Sequence, residues 1–79
     1  MNIYVGQLPF DVNENDLEVL FSEFGEVASA RLIMDRYSGR PKGFAFVEMP
    51  NDIEVKGAIK ALNQTTVDKS KIRVKLADA

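Results

Sequence analysis

Twice in 79 residues the apolar side chains fall at i, i+3, i+4 and i+7, first at Leu17, Leu20, Phe21 and Phe24 and again at Val55, Ala58, Ile59 and Leu62. That spacing lines one face of an α-helix. Between and around these stretches the chemistry is that of strands: Ile3-Tyr4-Val5, Val27 to Met34, Gly43-Phe44-Ala45-Phe46-Val47 and Ile72-Arg73-Val74-Lys75-Leu76. The order is β, α, β, β, α, β, with no linker, low-complexity tract or tandem repeat, so residues 1–79 are expected to form one domain. Each helix has a single apolar stripe, and neither can cover a second sheet face. Two right-handed βαβ units in this order predict an α+β, ferredoxin-like βαββαβ fold. Its four-stranded antiparallel sheet has both helices on one face and the other face open to water.

The element ends carry their own signals. Asn13 can cap the first helix with Asp16 three residues on, and Gly25 is expected to supply the left-handed residue that ends it. Pro50-Asn51-Asp52 starts the second helix and Asn63 closes it. Gly57 inside that helix costs about 1 kcal/mol against alanine, which points to close packing against the sheet. Gly6 and Pro9 end the first strand, and the polar run Asp35-Arg36-Tyr37-Ser38-Gly39-Arg40-Pro41 is a turn between two strands.

Composition removes whole classes of function. With no cysteine there is no disulfide framework or thiolate metal site, and with no histidine the commonest general base and metal ligand are missing. The chain is therefore expected to be no enzyme and to use no cofactor and no metal. No apolar run approaches the roughly 18 residues of a membrane span, and Met1-Asn2-Ile3-Tyr4-Val5 lacks the sections of a signal peptide, so a cytoplasmic protein without membrane contact is expected. The formal net charge of −2 hides a segregation. Residues 1–30 hold six acids and no base, whereas residues 31–79 hold all ten bases and six acids, a split of −6 against +4. A basic surface on an acidic protein is thereby permitted.

Alternation then sorts the side chains. In the third strand Ala45, Val47 and Met49 share one side, and Lys42, Phe44, Phe46 and Glu48 the other. The aliphatic set suits a sheet under helices, which leaves two phenylalanines and a lysine outward. In the first strand Ile3 and Val5 go inward and Tyr4 outward. The two strands are central neighbours in this topology, so Tyr4, Phe44 and Phe46 meet on the open face. Parity adds Arg31 and Ile33 from the second strand and Arg73 and Lys75 from the fourth. Four bases face one acid, Glu48, a local balance of +3. Aromatic planes ringed by cations suit single-stranded nucleic acid, because bases stack on the rings while the cations neutralise phosphates.

Lys42-Gly43-Phe44-Ala45-Phe46-Val47-Glu48-Met49 closely resembles the ribonucleoprotein octamer of the RNA-recognition motif, and Ile3-Tyr4-Val5-Gly6-Gln7-Leu8 resembles its partner hexamer. The resemblance covers essentially the whole chain and is greatest to the small single-domain RNA-binding proteins of bacteria. It implies that Tyr4, Phe44 and Phe46 stack on bases and that Lys42 contacts the backbone. Gln7 stands where the family usually has asparagine. Met49 stands where it usually has an aromatic, a position that alternation assigns to the core. The candidate RNA-binding set is thus Tyr4, Gln7, Arg31, Lys42, Phe44, Phe46, Arg73 and Lys75, acting in a monomer.

Other readings compete with this one. Exposed bases on strands also discourage edge pairing, which is the ordinary role for Arg31, Arg73 and Lys75. Tyr37 at a loop tip suits a turn as well as a ligand clamp. Single-stranded DNA would stack equally well, and a 2′-hydroxyl contact would restore RNA preference. A protein-interaction module on the same fold would use the aromatics to receive a partner side chain and would show little salt dependence. An acyl phosphate hydrolase of this fold would need an anion-cradling loop after the first strand, and Gly6-Gln7-Leu8-Pro9 has no arginine for it.

Overall fold

The computed structural model describes residues 1–9, 11–67 and 69–77. The expected 1–79 domain falls within these except at Phe10, Asp68, Asp78 and Ala79, which lie outside the described residues. The elements run β1 (Asn2–Gly6), α1 (Glu14–Ser22), β2 (Ser29–Met34), β3 (Pro41–Glu48), α2 (Asp52–Leu62), β4 (Thr66–Val67), β5 (Ser70–Lys71) and β6 (Arg73–Leu76). One sheet has the order β2-β3-β1-β6 with antiparallel pairs throughout, and β4 and β5 form a separate two-stranded hairpin. This is the ferredoxin-like arrangement that the order of periods predicts.

Both helices begin where local chemistry dictates. The Asp16 amide donates to Asn13 Oδ1 at 2.8 Å and the Asn13 amide to Asp16 Oδ2 at 3.1 Å, a reciprocal capping box. Asn51 Oδ1 accepts from the amides of Ile53 and Glu54, and Asn63 caps the other end of α2. The end of α1 differs from expectation. Its C-cap is Glu23, in right-handed conformation, and a further turn carries the chain to Phe24, whose amide donates to the Phe21 carbonyl. Gly25 redirects the chain only after that turn, at φ +156°.

The sheet's helix-facing side is the core. Ile3, Val5, Ala45, Val47, Met49 and Val74 of the strands or their ends meet Leu17, Phe21, Val55, Ala58 and Leu62 of the helices, all buried. The inward set is the one that alternation selects, Met49 included. Gly57 is a correction: it is exposed, and a side chain there would meet nothing within 4 Å. Its i−4 and i+3 neighbours, Ile53 and Lys60, are exposed too, so this stripe of α2 faces water rather than the sheet. Two strand limits also shift. The second strand starts at Ser29 rather than Val27, and Ile72, fully buried, precedes the last strand instead of opening it.

Candidate nucleic-acid interface

With no helix on the other face, the outward positions form a lattice read from the register. Arg31 lies opposite Phe46, Phe46 opposite Tyr4, and Tyr4 opposite Lys75, a row across all four strands. The neighbouring row on one side holds Ser29, Glu48 and Asn2, and on the opposite side Gly6 pairs with Arg73. Tyr4, Phe44 and Phe46 are each half-buried because they bury one another. Ring centroids are 5.8 Å apart for Tyr4–Phe44, at 29° between planes. They are 6.0 Å apart for Tyr4–Phe46 and 6.1 Å for Phe44–Phe46, both edge-on. These are the spacings that aromatic pairs prefer. The Lys75 ammonium sits 5.2 Å from the Tyr4 ring centroid, within cation–π range.

Two glycines shape this surface for different reasons. The Tyr4 ring leans along its own strand over Gly6, where a Cβ would stand 2.6 Å from the phenolic oxygen. Glycine is what lets the ring lie there. In β3 the register against β2 shifts between Leu32, opposite Ala45, and Met34, opposite Pro41. The extra β3 residues form a bulge around Gly43, at φ +93°, a conformation that L side chains rarely adopt.

The bulge separates Lys42 from Phe44 and Phe46, the residues with which alternation groups it. Lys42 is exposed at the rim, and its charge acts on Asp35 in the β2–β3 turn. Amide hydrogen bonds from Ser38 and Tyr37, joined by the Lys42 charge, hold the Asp35 carboxylate below the usual carboxylate range. The turn is closed by Asp35 N–H to Arg40 O at 2.7 Å and Gly39 N–H to Asp35 O at 2.9 Å. It presents Tyr37 at 92% exposure, beside Arg36 and Arg40.

Of the eight candidate residues, Tyr4, Phe44 and Phe46 are in mutual contact, Lys75 lies over Tyr4, Arg31 flanks Phe46, and Arg73 stands opposite Gly6. Arg31, Arg73 and Lys75 are exposed. Gln7 and Lys42 stand at the rim. Gln7 follows β1 at φ +58° and lines a groove with Gln64, Lys71 and Arg73. The β4–β5 hairpin that supplies Lys71 was not expected, although the β-branched run Thr65-Thr66-Val67 signals it. Asn2 and Ser29 are further residues of this face that the sequence reading passes over, and parity with Tyr4 and Arg31 would have found them. Among the described residues no group of acids could hold a metal ion, and no helix is long and apolar enough to cross a membrane.

Comparisons with known proteins agree with this geometry. Residues 3–73 match the family model for the RNA recognition motif. The 28 kDa ribonucleoprotein, chloroplastic, of Spinacia oleracea is 50% identical over 76 residues, which are 96% of this chain and 33% of that protein. The chain therefore spans about a third of the length of this curated relative. Among solved structures, the crystal structure of RNA binding protein PG1 has a TM-score of 0.94 at 42% identity, covering 100% of this chain and 96% of that one. The Sxl-lethal protein–RNA complex has a TM-score of 0.92 at 32% identity, covering 99% and 47%.

Proposed function

The chain belongs to the RNA recognition motif family, and from that premise we propose that it binds single-stranded RNA across its open sheet face. The observation that carries this reading is the Tyr4–Phe44–Phe46 cluster on the helix-free side of the sheet, flanked by exposed Arg31, Arg73 and Lys75. Each base that stacks on such a ring contributes on the order of 1–3 kcal/mol. Arg31, Arg73 and Lys75 neutralise phosphates beside the rings, Lys42 does so from the rim, and Gln7 contacts the chain as it leaves β1. No bond is made or broken in this reading, so the module is a binder and not an enzyme.

Residues 1–79 act as one monomeric module, and the spinach relative, three times as long, shows that such a module also occurs within larger proteins. The cytoplasmic location expected from the sequence stands beside a plastid one, since that relative is named as chloroplastic. Single-stranded DNA remains the alternative ligand, because stacking on these rings is indifferent to the sugar.

The test is a fluorescence-anisotropy titration with a short mixed-sequence single-stranded RNA, and its DNA counterpart, at two salt concentrations. The parent is compared with Phe44→Ala/Phe46→Ala. Binding is expected to weaken with salt, with a slope of up to about −3 if all four bases meet phosphates, and to collapse in the double variant. A folded parent that binds neither oligonucleotide would sink the reading.

A further inference from the structure

The open face carries one acid among its strand positions, and among the described residues the carboxylate of that acid has no partner. Glu48 lies two residues beyond Phe46 on the same side of β3, roughly 7 Å along the strand, and pairs in register with Asn2 on one side and Ser29 on the other. A groove of about 500 Å³ runs here, lined by Phe46, Arg31, Glu48, Ser29 and Asn2 among others. Arg31 and Glu48 share this groove, yet among the described residues no ion pair joins them and no hydrogen bond reaches the Glu48 side chain. An unpaired carboxylate on a face whose other charges are cationic repels phosphate. Its position is explained if what it meets is the edge of a base.

A base stacked on Phe46 turns that edge into the groove. A carboxylate offers two parallel acceptors and no donor. The pairing edges of adenine and cytosine set a single amino donor beside a ring-nitrogen acceptor, and uracil sets its N–H between two carbonyls. Each leaves one carboxylate oxygen facing a lone pair. Guanine alone presents two adjacent donors, N1–H and the 2-amino group, and its O6 and N7 acceptors are the pair that an arginine reads in two-point contact. The side chains on the two walls of the groove are thus an acceptor pair and a donor fork.

We propose that this groove is a guanine subsite in which Glu48 takes the N1–H and 2-amino donors and Arg31 takes O6 and N7. The proposal rests on the RNA-binding reading above and adds a base preference to it. It is tested with heptamers of uridine that carry one central guanosine, inosine, adenosine, cytidine or uridine, titrated against the parent, Glu48→Ala and Phe46→Ala. The parent is expected to bind the guanosine heptamer about tenfold more tightly than the adenosine, cytidine and uridine ones. Inosine, which lacks the 2-amino group, should fall between.

In Glu48→Ala guanosine and inosine should bind within about twofold of each other, and their lead over the other three should shrink to what Arg31 supplies at O6 and N7, those three rising slightly as repulsion of phosphate is removed. Phe46→Ala should weaken all five and narrow the guanosine preference, because the ring that aims the base at Glu48 is gone. Glu48 is exposed, and circular dichroism checks that its variant is folded. If the parent binds the heptamers without preferring guanosine, or if Glu48→Ala keeps the guanosine preference undiminished, the subsite is refuted while RNA binding stands. A parent that binds none of the five refutes both.

Discussion

Replacing Gly6 with alanine should damage the binding face without damaging the fold. The new Cβ would stand 2.6 Å from the Tyr4 phenolic oxygen and 2.8 and 2.9 Å from ring carbons Cε1 and Cζ. Unstrained carbon contacts need about 3.5–4.0 Å, so one of the two groups has to move by roughly 1 Å. Gly6 is buried in β1 and hydrogen-bonded into the ladder opposite Arg73, whereas Tyr4 is a half-exposed surface ring that can swing out. The ring therefore moves. It leaves the Phe44 contact, worth about 0.5–1.5 kcal/mol, and part of its hold on Lys75. Against that, alanine is better than glycine inside a strand by about 0.5–1 kcal/mol. The two nearly cancel, and thermal unfolding should shift by only a few degrees. Binding does not benefit from the cancellation, because the platform for one base is misplaced. A loss of about 1.4 kcal/mol, tenfold in Kd, is expected in the anisotropy titration. A Gly6→Ala variant that binds RNA like the parent would refute the reasoning. So would one destabilised by several kcal/mol, since glycine would then be required by the core and not by the ring.

Three other changes probe the scaffold. Gly57→Ala fills open space on the solvent side of α2 and should stabilise the domain by about 0.5–1 kcal/mol, raising Tm by several degrees with no change in RNA affinity. Gln7→Asn should add up to about 1 kcal/mol, because Gln7 holds the left-handed conformation at φ +58°, which asparagine adopts more readily; chemical denaturation reads this directly. Asp35 has its folded-state pKa lowered by the Ser38 and Tyr37 amides and by Lys42. Its contribution to the β2–β3 turn is therefore complete above the unfolded value near 4 and is lost as pH falls through the folded value below it. Amide exchange at Tyr37 and Ser38 should be unchanged between pH 7 and 5, once corrected for the intrinsic rate, and accelerate below about 4.

What the chain discloses unaided is whatever short-range chemistry decides. Asn13 with Asp16, and Asn51 before Asp52, announce helix starts because a cap is satisfied by amides two or three residues away. Tyr4, Phe44 and Phe46 can be assigned to one face because the period of a strand is two and the topology makes β1 and β3 neighbours. The bulge between Lys42 and Phe44 does not show in that period, and Gly43 alone hints at it. The β4–β5 hairpin escapes because two-residue strands are too short to show any period. Gly57 is misread for another reason: a residue without a side chain says nothing about which way it faces, and the answer lay in its neighbours Ile53 and Lys60.

The ammonium of Lys75 over the Tyr4 ring means that this aromatic already has an occupant. A base arriving on that side does not fill a vacancy; it evicts a tenant. The affinity measured there is a difference between two holds on one ring, and the evicted charge is released next to the phosphate that has just arrived. Neutralising Lys75 thus does two opposing things: it clears the ring and removes a counterion. At high salt, where the counterion matters little, a variant such as Lys75→Met should lose less affinity than at low salt and can even overtake the parent.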